Sequence, residues 1–228
     1  MSETAVPGQS GATSQRRWGR GAERSLRLRR ESWGFAIGSI LFALGAWPGY
    51  ASAVGVVADN ITYFVGSLFF TVAALVQLTL TGRPLPHRGS TGAEQFDWYS
   101  AAIQFIGTLL FNVSTFAALL QSTGADIDVR HVWRPDLFGS IAFLIASALA
   151  VVATTGRESL WDPNARSWWS TWSGMAGSIA FGVSALAAVV VPSSGTVVNA
   201  ALANLGTFIG ALCFLAAALL ALPQRRPR

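Results

Sequence analysis

A five-residue pattern, Gly-Ser/Thr-x-x-Phe, recurs inside long apolar runs and constrains the fold more than any other feature of the chain. Copies begin at Gly38, Gly66, Gly107, Gly139 and Gly177, and a softer sixth copy, without the hydroxyl, begins at Gly210. Residues i and i+4 lie on the same face of a helix, so the glycine and the phenylalanine of each copy are one turn apart. The pattern therefore predicts six similar helices that use one face in the same way.

The pattern has the composition of a helix interface in a bilayer. Glycine lets a neighbouring backbone approach closely, and a Ser or Thr hydroxyl can form a hydrogen bond to the next helix. We assign helix packing to these residues and keep pore lining as the alternative. The candidates are the pattern residues and one asparagine in the third run: Gly38, Ser39, Phe42, Gly66, Ser67, Phe70, Gly107, Thr108, Phe111, Asn112, Gly139, Ser140, Phe143, Gly177, Ser178, Phe181, Gly210 and Phe214.

Matching copies return about 70 residues apart, which makes the repeating unit two segments long. Gly38, Gly107 and Gly177 form one series, and Gly66, Gly139 and Gly210 form the other. Trp or Tyr residues open each segment of the first series, as expected where helices enter a membrane interface. The chain is therefore predicted to contain three tandem helical hairpins, at about 32–82, 97–156 and 167–222.

The apolar runs are long enough to cross a bilayer, which takes about 18 residues or more. The 228 residues are 52% apolar and only 12% charged. We expect an all-α, polytopic integral membrane protein with six transmembrane helices near 33–52, 60–80, 99–120, 136–154, 169–191 and 200–222. The membrane domain would cover 32–222. It would lie between a disordered Arg-rich tail, 1–31, and a basic C-terminus, 223–228.

The basic residues predict the orientation. All 16 are arginines, a composition that favours a GC-rich bacterial source. Fourteen fall on one side of the predicted spans, and only Arg130 and Arg134 fall on the other. The positive-inside rule then predicts a multi-pass protein of the bacterial plasma membrane with both termini in the cytoplasm. The tail would serve as a topology signal or bind anionic lipid.

Polar residues at the segment ends are interpreted as helix starts. Asp59 with Asn60, and Asp97, are expected to be N-caps, because their side chains accept orphan backbone N–H groups. Asp136 follows Pro135 and is expected to complement the positive end of the fourth helix. Pro48 and Gly49 are expected to end the first helix.

No residue set in the chain predicts catalysis. No Asp, Glu, His or Arg is expected to lie well within any of the six spans, which argues against a proton-coupled pump. Asp126, Asp128 and His131 have the chemistry of metal ligands, but they match no closed motif and have arginine neighbours. We therefore expect no catalytic residue, no cofactor and no metal.

The segments Asn60 to Phe70 and Trp133 to Phe143 resemble the YrhK-like domain, a short two-helix membrane module. The resemblance is clearest in Trp133-Arg134-Pro135-Asp136-Leu137-Phe138-Gly139-Ser140, and the third hairpin departs from it most. It would apply to each hairpin in turn. It implies a fold and carries no catalytic residue with it.

Two classes of function remain open from the sequence. The first is a structural or interaction protein that packs through its Gly, Ser and Phe faces. Its partners would be the lipid bilayer, a second copy or another membrane protein. The second is a passive channel or facilitator for a small neutral solute, lined by the pattern hydroxyls and Asn112. Nucleic acid is not an expected partner, because the basic tail matches no recognised nucleic-acid-binding fold.

Overall fold

The computed structural model describes residues 9–82, 91–157, 159–191 and 195–224, and the extended elements in these ranges are all α-helices. They are α1 (Gln9–Gly45), α2 (Tyr50–Val54), α3 (Val56–Leu80), α4 (Gly92–Ser122), α5 (Arg130–Thr155), α6 (Arg166–Ala187) and α7 (Ala200–Ala221). The predicted all-α class is confirmed. By length and composition, α3, α4, α5 and α7 are able to cross a membrane.

The first helix begins earlier than the sequence predicts. The segment 1–31 was expected to be disordered, but α1 is helical from Gln9 onward, and residues 1–8 lie outside the described residues. Alanine, leucine, arginine and glutamate dominate residues 22–31, and all four are strong helix formers. Extending a helix that is already nucleated by the packed apolar run costs little, so the helix continues into the polar tail.

The turn after α1 is where the sequence places it. α1 ends at Gly45, and Gly49 has φ 91°, in the left-handed region that favours glycine. Two predicted caps, in contrast, are wrong. α3 begins at Val56 and α4 at Gly92, so Asp59 and Asp97 both lie inside helices. A capping box formed by Thr91 and Glu94 starts α4, and Asp97 pairs with Arg157 at the end of α5.

The prediction for Pro135 and Asp136 also fails. α5 begins at Arg130, which places the proline inside the helix and Asp136 in its second turn. Pro135 is the sixth residue of α5, beyond the first four N–H groups that lack an intrahelical partner, so the helix forms despite the loss of one backbone hydrogen bond. A proline alone therefore does not mark the first turn. The consequence is that a carboxyl group lies deeper among the helices than the sequence indicates.

The six long helices form a closed ring in the order α1, α3, α4, α5, α6, α7 and back to α1. Contacts are most extensive within the pairs α1–α3, α4–α5 and α6–α7, and less extensive between one pair and the next. The ring thus has a threefold pattern that follows the repeat of about 70 residues in the sequence. We call the end of the ring that contains Asp97 and Arg166 the proximal end, and the end that contains Trp47 and Asp128 the distal end.

Candidate functional site

Within each helix pair, the glycine of one pattern accommodates the phenylalanine of the other. A Cβ atom added at Gly107 would lie 2.7 Å from the Phe143 ring, and one added at Gly139 would lie 3.1 Å from the Phe111 ring. The other two pairs repeat this exchange: Gly38 with Phe70, Gly66 with Phe42, Gly177 with Phe214 and Gly210 with Phe181. The two helices of a pair are therefore antiparallel, and a glycine is needed where each ring passes.

The six pattern phenylalanines meet at the centre of the ring in two layers of three. The layer nearer the distal end contains Phe42, Phe111 and Phe181, with ring centroids 6.0 to 6.5 Å apart. The other layer contains Phe70, Phe143 and Phe214, with centroids 5.6 to 6.3 Å apart. Each helix pair joins the layers at 5.1 to 5.4 Å. These separations are direct aromatic contacts, so the six rings, which we call the phenylalanine core, fill the ring axis.

Two of the serines that follow a pattern glycine connect one helix pair to the next. Ser67 Oγ of α3 is 3.0 Å from Thr115 Oγ1 of α4, and Ser178 Oγ of α6 is 2.7 Å from Ser147 Oγ of α5. In both cases, one residue of the pair follows the pattern glycine of its own helix by one position. The other residue follows the pattern glycine of the neighbouring helix by eight positions. Thr108 instead bonds the carbonyl of Phe105 in its own helix. These hydroxyl pairs are interhelical hydrogen bonds in a buried seam.

Ser39, which also follows a pattern glycine, forms no hydrogen bond through its hydroxyl to any of the described residues, although it is fully buried. The repeat explains why. Ser147, the partner of Ser178, lies eight residues after Gly139, and the equivalent position on α7, eight residues after Gly210, is Ala218. Alanine has no polar group to offer, so the α1–α7 seam lacks the hydrogen bond that joins α5 to α6.

This difference predicts opposite outcomes for one substitution at two equivalent positions. Ser178→Ala is expected to lower the free energy of unfolding by about 1 kcal/mol, because it removes an interhelical hydrogen bond. Ser39→Ala is expected to leave it unchanged or to raise it slightly, since no bond is lost and an unpaired buried hydroxyl is removed. Unfolding in mixed micelles, followed by circular dichroism, measures both. Equal losses would contradict the prediction.

Serines also join the helices within two of the pairs. Each donates a hydrogen bond of 2.6 to 2.9 Å to a backbone carbonyl of the partner helix: Ser100 to Ala146, Ser114 to Val132, Ser170 to Ala217 and Ser184 to Ala203. These serines lie seven residues before or after a pattern glycine. Glu31 and Gly45 hold the same positions in α1, and the Tyr63 ring packs against Gly45. The α1–α3 pair therefore replaces serine bonds by aromatic packing at its distal end.

Asn112 connects α4 to α3. Its Nδ2 donates a hydrogen bond of 2.9 Å to Thr71 Oγ1, while its Oδ1 is buried without a partner among the described residues. The free amide oxygen belongs to a residue that lines a lateral groove of about 730 Å³ on the outside of the ring. The side chain therefore bridges two helices at the wall of the groove.

The lateral groove runs along α3 and α4 toward the distal end. Its walls are mainly apolar, from Phe64 and Leu68 to Phe116 and Leu120, and its distal rim contains Asp126, Asp128 and His131. Hydrogen bonds from the side chain and backbone of Arg130 lower the pKa of Asp128 to about 2, so this carboxyl is ionised at neutral pH. Within the described residues, no three His, Cys, Asp or Glu side chains converge in a way that could hold a metal.

A small polar cavity of about 20 Å³ lies on the distal side of the phenylalanine core. Its lining consists of the distal phenylalanine layer and four oxygen-bearing side chains, those of Asp136, Ser140, Ser184 and Thr207. The sequence interpretation missed this site, because it placed Asp136 at a helix start. The repeat could have predicted that Asp136 faces the ring axis. The equivalent residues of the three pairs, Tyr63, Asp136 and Thr207, each lie three residues before a pattern glycine. On a helix, that position is seven residues from the core phenylalanine and shares its face.

No protein-family model matches the chain, and neither the curated proteins nor the solved structures yield a match. The features that bear on function are a filled axis, a small polar cavity above it and an apolar groove at the side.

Proposed function

We propose that the chain is a non-catalytic integral membrane protein that serves as a packing and lipid-associating scaffold. In this proposal it crosses a bacterial plasma membrane six times as three tandem hairpins, with the proximal end and both termini in the cytoplasm. The YrhK-like resemblance is compatible with a two-helix unit repeated three times and remains a hypothesis. A second copy of the chain or another membrane protein is a further candidate partner.

The phenylalanine core is the observation that carries this proposal. None of its six side chains is more than 7% exposed, and every one contacts rings from at least three other helices of the ring. Pattern residues that a facilitator would need along its path are instead packed in seams or against the core. The geometry therefore favours helix packing over solute passage.

Exposed apolar stripes support six spans. Exposed side chains four residues apart recur on α1 as Ile40 and Leu44, and on α6 as Ile179 and Val183. The α4 residues Leu109 and Val113 form a similar stripe on one of the four helices that are long and apolar enough to span a bilayer. A ring whose outside is apolar on every side has the surface that lipid tails require, so α1 and α6 are included as spans.

The lateral groove supports a proposal about the kind of lipid. From Asn112 to Leu120 it extends about 12 Å along α4, which is close to the depth of one leaflet. Its apolar walls suit an acyl chain. At its distal rim, Asp126 is exposed and forms no ion pair with the described residues. An ammonium group provides three donors for such a carboxylate, so we propose phosphatidylethanolamine as the occupant.

Val113→Trp tests this proposal, because the larger side chain would fill the groove that Val113 lines. The matched control is Ile106→Trp, on the same face two turns earlier, outside the groove; the two residues are 51% and 53% exposed. Native mass spectra of the protein from phosphatidylethanolamine-containing bilayers are expected to show a retained lipid. Retention should fall severalfold for Val113→Trp and remain at the wild-type level for Ile106→Trp.

Two results would contradict the lipid proposal. Equal retention by both variants would place the lipid elsewhere. Equal retention of phosphatidylglycerol and phosphatidylethanolamine by the wild-type protein would remove the assigned role of Asp126. Melting temperatures of the variants establish that a lost lipid signal is not caused by unfolding.

A further inference from the structure

We propose that the small polar cavity on the distal side of the phenylalanine core binds one dehydrated monovalent cation of the size of Na⁺, with Asp136 as the charged ligand. This inference goes beyond the scaffold function, because it concerns a site inside the ring that neither helix packing nor lipid association requires.

The cavity presents oxygen atoms on several helices. Asp136 and Ser140 come from α5, Ser184 from α6 and Thr207 from α7. Ser184 Oγ lies 2.6 Å from the Ala203 carbonyl oxygen and 2.7 Å from Thr207 Oγ1. A hydroxyl has one proton, which Ser184 gives to the carbonyl, so it accepts the proton of Thr207. Both hydroxyl oxygens then keep a lone pair free, and hard cations bind oxygen lone pairs.

Asp136 supplies the acidic group of the cavity. Its carboxylate forms no hydrogen bond or ion pair with the described residues, and the described ion pairs, Arg130–Asp128 and Arg157–Asp97, lie at the two ends of the ring. Ionisable groups inside a membrane are costly and mark binding sites or relays when they have no structural partner. One bound monovalent cation would neutralise one carboxylate.

The size of the cavity limits what can enter. A volume of about 20 Å³ has room for a single water-sized species, so a hydrated divalent ion or an organic cation does not fit. Phe42, Phe111 and Phe181 close the proximal side of the cavity, so a cation that enters from the distal end has no onward path through the core. The geometry therefore points to a resident ion that links three helices.

Binding is measured directly with the full-length protein in detergent, using ²²Na⁺ and a scintillation proximity assay. Saturable binding near one ion per chain is expected, with competition by Li⁺ or K⁺. Independently, the melting temperature in NaCl should exceed that in N-methylglucamine chloride at equal ionic strength. The expected rise is about 5–10 °C at a hundredfold excess over the dissociation constant. Absence of saturable ²²Na⁺ binding, with equal melting temperatures, would overturn the proposal and leave a water or a protonated carboxyl in the cavity.

Variants locate the ion. Asp136→Asn keeps the shape of the side chain and should abolish ²²Na⁺ binding, and Thr207→Val should weaken it at least tenfold. Asp162→Asn, in the loop between α5 and α6 and outside both the cavity and the groove, is the control and should bind as the wild type does. Retained binding by folded Asp136→Asn would overturn the assignment. Loss of binding by Asp162→Asn would show that the loss is not specific to the cavity and would overturn it as well. Lipid retention in the native mass spectra is independent of these outcomes.

Discussion

Phe143→Ala is expected to lower the free energy of unfolding by about 3–5 kcal/mol, the range for truncating a buried phenylalanine. The side chain is 1% exposed, and its ring contacts Phe70, Phe111 and Phe214 at centroid distances of 5.1 to 6.3 Å. Removing it deletes three aromatic contacts and leaves a cavity at the point where three helix pairs meet. Rigid helices on all sides prevent the space from closing.

The control is Phe138→Ala on the same helix. Phe138 is 59% exposed and belongs to the outer surface of the ring, so its loss should change the unfolding free energy by less than about 0.5 kcal/mol. Unfolding of both variants in mixed micelles, followed by circular dichroism, gives the comparison. Similar effects at the two positions would mean that the phenylalanine core contributes no more than the lipid-facing surface.

Gly177→Ala is expected to destabilise the protein by about 1–3 kcal/mol through overpacking. A Cβ atom at this position would lie 3.0 Å from the Phe214 ring and 3.1 Å from the Gly210 carbonyl oxygen. The ring cannot move away without pressing on Phe70, Phe143 or Phe181, its neighbours in the phenylalanine core. The backbone oxygen is held by its helix, so α6 and α7 must separate.

Gly174→Ala, one turn earlier on α6, should have the opposite sign. No side chain and no other helix among the described residues lies within 4 Å of the Cβ position there, so the substitution removes only the conformational cost of glycine in a helix. A gain of up to about 1 kcal/mol is expected. The pair of variants, compared by the same unfolding measurement, separates close packing from helix propensity. A stabilised Gly177→Ala variant would show that the glycines are not required for the approach of α6 to α7.

The repeat explains how much of the structure could be anticipated. A glycine and a phenylalanine one turn apart place both residues on one helix face by geometry alone, so an all-helical fold with a shared interface follows from the sequence. The hydroxyl pairs also follow a rule: one member of each pair lies one residue after the pattern glycine of its helix, and the other lies eight residues after the pattern glycine of the neighbouring helix. The partner helix, however, is unknown until the ring is assembled, and Ser39 shows the result: only the position of Ala218 on the neighbouring helix explains its unpaired hydroxyl.

Helix starts and the polar cavity could not be anticipated in the same way. Apolar periodicity marks the buried part of a helix but not the polar turns that extend it. This is why α1, α3, α4, α5 and α6 begin before their predicted starts. Asp136 was consequently placed at a helix end. Its true position depends on where α5 begins and on which side chains face it across the axis, and both are long-range properties.

The sequence by itself determined the helical class, the repeat and the face that each helix buries, because these depend on residue spacing along one chain. Only the tertiary structure decided that the six phenylalanines close the axis in two layers, that Asp136 lies in a cavity above them, and that α3 and α4 form an outer groove. The physical reason is that these features arise where side chains from different helices meet. These contacts depend on the order of the helices around the ring and on the register between neighbouring helices. The spacing of residues within one helix specifies neither.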